Sequence, residues 1–266
     1  MINIDELLAK AIQLYENDQI LPAKAICHRI LREDAEHIDA IWLLGSIAHQ
    51  IETSQPDAGL AYHHWYYNNH VYGFTSWLGV ITWKSVSDMW NYQEIIFNLK
   101  PSLIIEFGTF MGGSALFFAS ILRSIGQRSK LLSVDINHSR VSPATSSDPD
   151  IELMLESSSS PKVADRITAL CQEYPGRIFA ILDSDHSKAH VLAEMMLLRP
   201  ILKPGDYLIV EDSNVNGHPV LPNWGEGPYE AMQEYFSRYP DDYERDVARE
   251  QKFGFTFATE GFLIRR

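Results

Sequence analysis

The chain has 266 residues, of which 45% are hydrophobic, 11% aromatic and 21% charged, a composition that excludes collagen-like, coiled-coil and disordered classes and supports a sizeable core. Its formal net charge of −13, from 35 acids against 22 bases, disfavours non-specific binding to nucleic acid or to an anionic membrane and leaves room for a site that holds a cation. Cys27 and Cys171 stand far apart with no metal-ligand spacing, which reads as two reduced thiols in a cytoplasmic protein. The first residues carry no basic, apolar signal pattern, and no stretch approaches the ~20 apolar residues of a membrane helix.

Residues 3–52 read as helical. Ile4, Leu7, Leu8, Ala11, Leu14 and Tyr15 recur at three and four residues; Pro22 opens a second helix with Ala23, Ile26, Cys27, Ile30 and Leu31 on one face; a third follows Asp39. A spacing of 34 pairs Leu7 with Ile41, Leu8 with Trp42, Ala11 with Gly45 and Leu14 with Ala48. This resembles a tetratricopeptide repeat, about one and a half units of it. Small residues at Ala11, Ala23 and Gly45 are expected to let helices approach closely. Because solenoids need about three repeats to stand alone, the plainer expectation is a helical cap on the main domain or on a neighbouring subunit, and the sharper one a peptide-binding surface. Turn formers over 53–60 place a boundary between an appendage, 1–57, and a main domain, 58–266.

Residues 58–100 are rich in aromatics. They hold four of the six tryptophans, Trp65, Trp77, Trp83 and Trp90, with Tyr62, Tyr66, Tyr67, Tyr72 and Phe74. His63, His64 and His70 lie among them without the i, i+4 pairing that zinc favours. The stretch reads as packing against the core, or as a lid over a substrate site.

From residue 101 strands alternate with helices. Strands are expected at 103–107, 130–136, 151–155, 178–183 and 207–212, with a closing pair at 243–249 and 255–264; helices are expected at 112–125, 161–174, 188–202 and 228–239. Serial βα units predict an α/β fold with a mostly parallel sheet covered on both faces, and a ligand beyond the carboxyl ends of its strands.

Two of those ends carry chemistry. The loop from Glu106 through Gly108, Thr109, Gly112 and Gly113 to Ser114 allows close backbone approach to a ligand, and Asp135 ends the next strand where a carboxylate can accept both ribose hydroxyls. The glycines lack the dinucleotide spacing, so a nucleoside with an amino-acid tail fits better than a pyrophosphate. Further on, Asp183, Asp185 and His186 end one strand and Glu211 and Asp212 another. Four carboxylates at one edge repel one another unless a hard divalent cation such as Mg²⁺ joins them; helix capping by Ser184 or Asp185 explains only part of the cluster.

These motifs give the chain its resemblance. Trp77–Lys84, Glu106–Ala119, Leu182–Ser187, Gly205–Asp212 and Asn214–Pro219 resemble the cephalosporin hydroxylase / rhamnosyl O-methyltransferase family, over residues from about 74 to 266. The resemblance implies a Rossmann-like class I S-adenosylmethionine-dependent methyltransferase sheet, order 3-2-1-4-5-7-6, carrying here a small N-terminal α-helical appendage that the family core lacks. It implies that Glu106, Gly108, Thr109 and Ser114 line the methionine end of S-adenosylmethionine, that Asp135 binds the ribose, and that Ser157 and Ser158 lie near the adenine. It puts Mg²⁺ on Asp183, Glu211 and Asp212, with Asp183 also beside the cofactor. Glu156 stands where family members often have glycine, which bears on the adenine end.

The expected chemistry is Mg²⁺-assisted O-methylation of a small hydroxylated acceptor, a sugar or glycosylated metabolite. Asp185 or His186 is the expected general base, with His218 and Lys188 as rivals. The resemblance also implies an assembly larger than a monomer. Two other readings stay open: a hydroxylase or methoxylation component, for which no two-histidine, one-carboxylate iron set is evident, and a non-catalytic repeat-bearing adaptor.

Overall fold

A computed structural model describes residues 3–17, 19–54 and 58–266, with side chains not described at Leu21 and over 49–54. The chain divides into two compact units, the first ending at Ala58 and the second starting at Gly59. In the first unit, α1 (Ile4–Glu16) starts where the Asn3 side chain accepts from the Glu6 amide, with Asp5 and Glu6 in the first turn. Helix α2 (Ile20–Glu33) places Pro22 in its first turn, where a missing N–H costs nothing. With α3 (Ile38–Ser54) these helices bury Ala11, Ala23, Cys27 and Ile47 against Leu14, Tyr15, Ile26 and Leu43. Gly45 has open space where its Cβ would stand, so it is not the close-approach point the repeat spacing suggested. The expected turn at 53–60 falls partly on residues 55–57, which lie outside the described residues.

Helix α4 (Ala58–Asn68) starts on the last residue of the first unit and belongs otherwise to the second, which continues with a 3₁₀ turn at Val71–Phe74, the short antiparallel pair β1 (Ser76–Trp77) and β2 (Val80–Ile81), and α5 (Val86–Leu99). The alternating part follows: β3 (Leu103–Phe107), α6 (Gly113–Ile125), β4 (Lys130–Asp135), α7 (Pro143–Ser146), β5 (Ile151–Leu155), α8 (Pro161–Glu173), β6 (Ile178–Leu182), α9 (Lys188–Leu198), β7 (Tyr207–Val210), α10 (Pro228–Arg238), β8 (Tyr243–Arg245), α11 (Val247–Gln251) and β9 (Phe262–Arg265). Among the described residues the main sheet has the order β5-β4-β3-β6-β7-β9-β8, which is 3-2-1-4-5-7-6 when its own strands are numbered. The first five pair in parallel and β9 runs antiparallel between β7 and β8.

Strand side chains alternate between two cores, as a sheet covered on both faces requires. Ile105, Phe107, Val134, Ala180, Leu182 and Val210 face α8, α9 and α10 through residues such as Val163, Met195 and Met232. Ile104, Leu131, Phe179, Ile181 and Ile209 face α5 and α6 through Tyr92, Ile96, Phe118 and Leu122. Removing a large side chain here, Phe118→Ala for example, is expected to cost about 3–5 kcal/mol, read as a drop in the urea midpoint.

Several expected elements prove shorter at one end. Helix α9 stops at Leu198, not Leu202: Pro200 offers no N–H to continue the ladder, although Arg199 itself keeps a helical backbone. Strand β8 ends at Arg245, where the Asp246 side chain accepts from the Arg249 amide and starts α11. Strand β9 begins only at Phe262. The alternating Phe255 and Phe257 upstream pack instead with Tyr66, Tyr67, Val215 and Val220, a separate apolar cluster.

Candidate active site

The parallel register brings the carboxyl ends of four strands level: Phe107 lies opposite Val134 and Leu182, and Leu182 opposite Val210. Each following residue enters the site still tied to its neighbour strand. Gly108 donates to the Val134 carbonyl (2.8 Å), Asp183 to that of Phe107 (2.8 Å) and Glu211 to that of Leu182 (3.0 Å). A Cβ on Gly108 would stand 1.9 Å from the Asp183 carbonyl oxygen, and its φ of +96° is one L side chains rarely adopt, so only glycine lets these two loops meet.

A cavity of about 980 Å³ opens over these ends. Gly108, Thr109, Ser114, Asp135, Ser157 and Ser158 line it, as do Asp183, Asp185, His186 and Asp212. From the aromatic stretch come Tyr67, Tyr72 and Trp83, the last with its ring 4.6 Å from that of Phe110. Glu106 and Glu211 lie outside the lining, as do the rival bases His218 and Lys188.

Glu106 is fully buried behind Ser114, whose hydroxyl donates to Oε1 (2.5 Å) while that of Ser133 donates to Oε2 (2.5 Å). Burial pushes its carboxyl up to about 7, against the two hydroxyls and the Lys84 ammonium, which favour the ionised form. Asp135 clasps the glycine loop: its Oδ2 accepts from the amides of Thr109 (2.8 Å) and Phe110 (3.0 Å), and its Oδ1 from Asn137 (3.0 Å). Ser158 joins His190 (Nε2, 2.8 Å) and the buried Glu194, which also accepts from Ser184 (2.5 Å). The hydroxyl of Ser157 meets that of Ser159 at 3.2 Å.

The four carboxylates at the strand ends diverge. Asp183, Asp212 and His186 converge, one ligand atom of each lying within 4.8 Å of the others. His186 Nε2 stands 3.2 Å from Asp212 Oδ2. Asp212 holds φ at +51°, a costly conformation for a residue with a side chain, of the kind that clusters at functional sites. Asp185 instead accepts from the Ser187 amide (2.8 Å) at the entry to α9, a bond that holds its carboxyl below the usual range. Glu211, 3% exposed, turns into the core, where Oε1 accepts from the Tyr92 phenol (2.7 Å) and stands 3.1 Å from Lys84 Nζ. Lys84, also 3% exposed, pairs with Asp183 as well. Burial and mutual repulsion raise the carboxyls of Asp183, Glu211 and Asp212 above their usual values, with Lys84 and His186 opposing. The rival bases are engaged elsewhere: His218 with Glu230 (2.9 Å), Lys188 with Glu226 (3.0 Å) and Glu234 (3.2 Å).

Sequence reasoning missed the layer beneath: Lys84, Asp88 and Tyr92. All three lie in the 58–100 stretch already singled out, but nothing there marked them as buried. His63 proves to be a packing residue, stacked on Phe257 with Nε2 2.8 Å from the Asn214 amide and its pKa lowered to about 4, chiefly by burial. Asp88, 1% exposed, accepts from the Phe257 amide (2.8 Å), and burial pushes its carboxyl up to about 7. A folded-state pKa raised from 3.8 gives a contribution to stability that is present below about pH 4 and lost as pH rises through about 7. Asp88→Asn removes this titration. The variant is expected to gain on the wild type, by on the order of a few kcal/mol, between pH 4.5 and 8 in urea unfolding; parallel stability curves would contradict the assignment.

The chain is similar to known proteins. The profile of the family described as Rhamnosyl O-methyltransferase/CmcI matches residues 68–266. The chain is 62% identical over 205 residues to a rhamnosyl O-methyltransferase of Mycobacterium leprae (strain TN), covering 77% of this chain and 89% of that protein. It is 56% identical over 229 residues to a rhamnosyl O-methyltransferase of Mycobacterium bovis (strain BCG / Pasteur 1173P2), covering 86% and 94%. Among solved structures, apo CmcI superposes with a TM-score of 0.59 at 21% identity over 73% of this chain and 76% of that one. A Mg–SAM complex of CmcI gives 0.56 at 21% identity over 73% and 77%.

Proposed function

The chain belongs to the Rhamnosyl O-methyltransferase/CmcI family and is an S-adenosylmethionine-dependent O-methyltransferase; on that premise we propose that its acceptor is a rhamnosyl hydroxyl of a small glycosylated molecule and that a divalent cation assists the transfer. The observation that carries the acceptor reading is the identity of 62% and 56% to rhamnosyl O-methyltransferases across most of their length.

The residues fit a cation. Two carboxylates and an imidazole converge, and the acids Asp183, Glu211 and Asp212 outnumber the nearby cationic groups, Lys84 and His186. Oxygen-rich ligation suits Mg²⁺. We assign it to Asp183 and Asp212, the two carboxylates that converge, and reserve His186 for proton transfer; Glu211, expected as a third ligand, is instead turned to Tyr92 and Lys84 on the core side. When bound, the cofactor supplies an electrophilic sulfonium methyl and the cation a Lewis acid that acidifies the acceptor hydroxyl.

The rest is done by the chain. Ser114, backed by Glu106, offers polar groups for the methionine end, and Asp135 a carboxylate for the ribose while it holds the glycine loop in place. With Nε2–H turned to Asp212, His186 keeps Nδ1 free to take the hydroxyl proton. Tyr67, Tyr72 and Trp83 line the same cavity and would hold the acceptor with its oxygen towards the methyl of the bound cofactor.

The test is transfer of labelled methyl from S-adenosylmethionine to a rhamnoside. Turnover with Mg²⁺, its loss in EDTA and its return on adding Mg²⁺ are the expected results. Undiminished turnover in EDTA would remove the cation; turnover on other hydroxylated acceptors but not rhamnosides would remove the sugar assignment.

A further inference from the structure

We propose that Lys84 is a built-in counter-ion that shares the carboxylate cluster with the divalent cation, neutralising its core side so that the site survives when the cation leaves. The inference rests on the cation reading above and concerns a residue which that reading does not use.

The geometry is specific. Lys84 follows the β1–β2 pair, and its amide donates to the Thr82 carbonyl (3.0 Å). Its ammonium meets Asp183 and Glu211, and the residue also lines a second, smaller cavity together with Trp77, Met89 and Phe117. Among the described residues that line the second cavity there is no carboxylate. Its ion-pair partners among the described residues are Asp183 and Glu211. Burial works against its charge, but the two acids outweigh burial and hold the ammonium charged.

The number of acids gives the reason. Asp88, Glu106 and Glu211 are each at most 3% exposed, and Asp183 and Asp212 stand close by. Such a group is self-repelling without an internal cation, and removing one partner of a buried pair leaves an uncompensated charge. The compact ammonium suits a place between two carboxylates better than the planar fork of arginine. A positive charge fixed there also weakens the hold on a second cation. Lys84 thus exchanges metal affinity for an intact empty site.

Lys84→Met tests this with Mn²⁺ as the probe, followed by calorimetric titration and by thermal unfolding in EDTA and in Mn²⁺. In EDTA the variant is expected to melt at least about 5 °C below the wild type. Its Mn²⁺ affinity is expected to rise at least about tenfold, widening the melting difference between EDTA and Mn²⁺. Unchanged or weaker Mn²⁺ binding by the variant, where the wild type binds, overturns the role of Lys84 alone. A wild type that takes up no Mn²⁺ overturns the cation reading and this inference with it. If Lys84→Met folds in neither condition, Lys84→Met/Glu211→Gln decides: recovery of folding in EDTA supports the counter-ion, and continued failure overturns it.

Discussion

Asp183→Asn is expected to lower kcat/KM by about a thousandfold or more, while S-adenosylhomocysteine still binds within a few-fold of wild type. The substitution keeps the side-chain size and the backbone bond from Asp183 to Phe107, so the loops keep their approach at Gly108. It removes the charge that Asp183 brings to the group with His186 and Asp212. Lys84 keeps Glu211, 3.1 Å away, as its partner, and the crowded acids lose one source of repulsion. The fold should therefore persist, and the loss should appear in chemistry and in Mn²⁺ uptake. Near-normal turnover with Mn²⁺ binding abolished would mean that a cation sits there without serving transfer. Loss of S-adenosylhomocysteine binding in parallel would instead make Asp183 a cofactor residue first.

That prediction was within reach of the sequence because its residues sit at strand ends. Alternating strands and helices fix which loops share an edge, so Gly108, Asp135, Asp183 and Asp212 could be brought together before any coordinates. Direction along the chain is a different matter. Asp183, Asp185, Glu211 and Asp212 look alike in sequence, yet one ties a turn and another points into the core. Glu211 and Asp212 part just beyond the end of β7, where Asp212 takes a left-handed backbone. Which of them faces the cavity depends on Tyr92 and Lys84, more than a hundred residues away in the chain. The same limit applies to Phe255 and Phe257. Their alternation suited a strand, but the partner that takes the Phe257 amide is the buried Asp88 on α5. In the first unit the three- and four-residue apolar periodicity matched α1, α2 and α3, but could not tell that Gly45 faces open space.

His186→Gln separates the proton-transfer step from everything else at the site. Glutamine keeps a polar group near Asp212 but cannot take a proton near neutral pH, so kcat is expected to fall about 10²–10⁴-fold with KM and Mn²⁺ affinity changed only a few-fold. The matching variant is Asp185→Asn, expected to stay within about threefold of wild type. Asp185 is bound to the Ser187 amide and its carboxyl lies below the usual range; a weak, already committed base contributes little at the pH where the enzyme works. His186 differs in both respects. Its Nε2 faces Asp212 at 3.2 Å, which fixes the ring and stabilises the imidazolium once the proton arrives. The reverse outcome, a large loss for Asp185→Asn with His186→Gln nearly intact, would transfer the role to Asp185 and leave the imidazole as a cation ligand. Equal large losses in kcat with weakened Mn²⁺ binding in both would point to a shared role in seating the cation. Only the expected pattern, with kcat falling at His186 alone, makes the imidazole the group that activates the sugar hydroxyl.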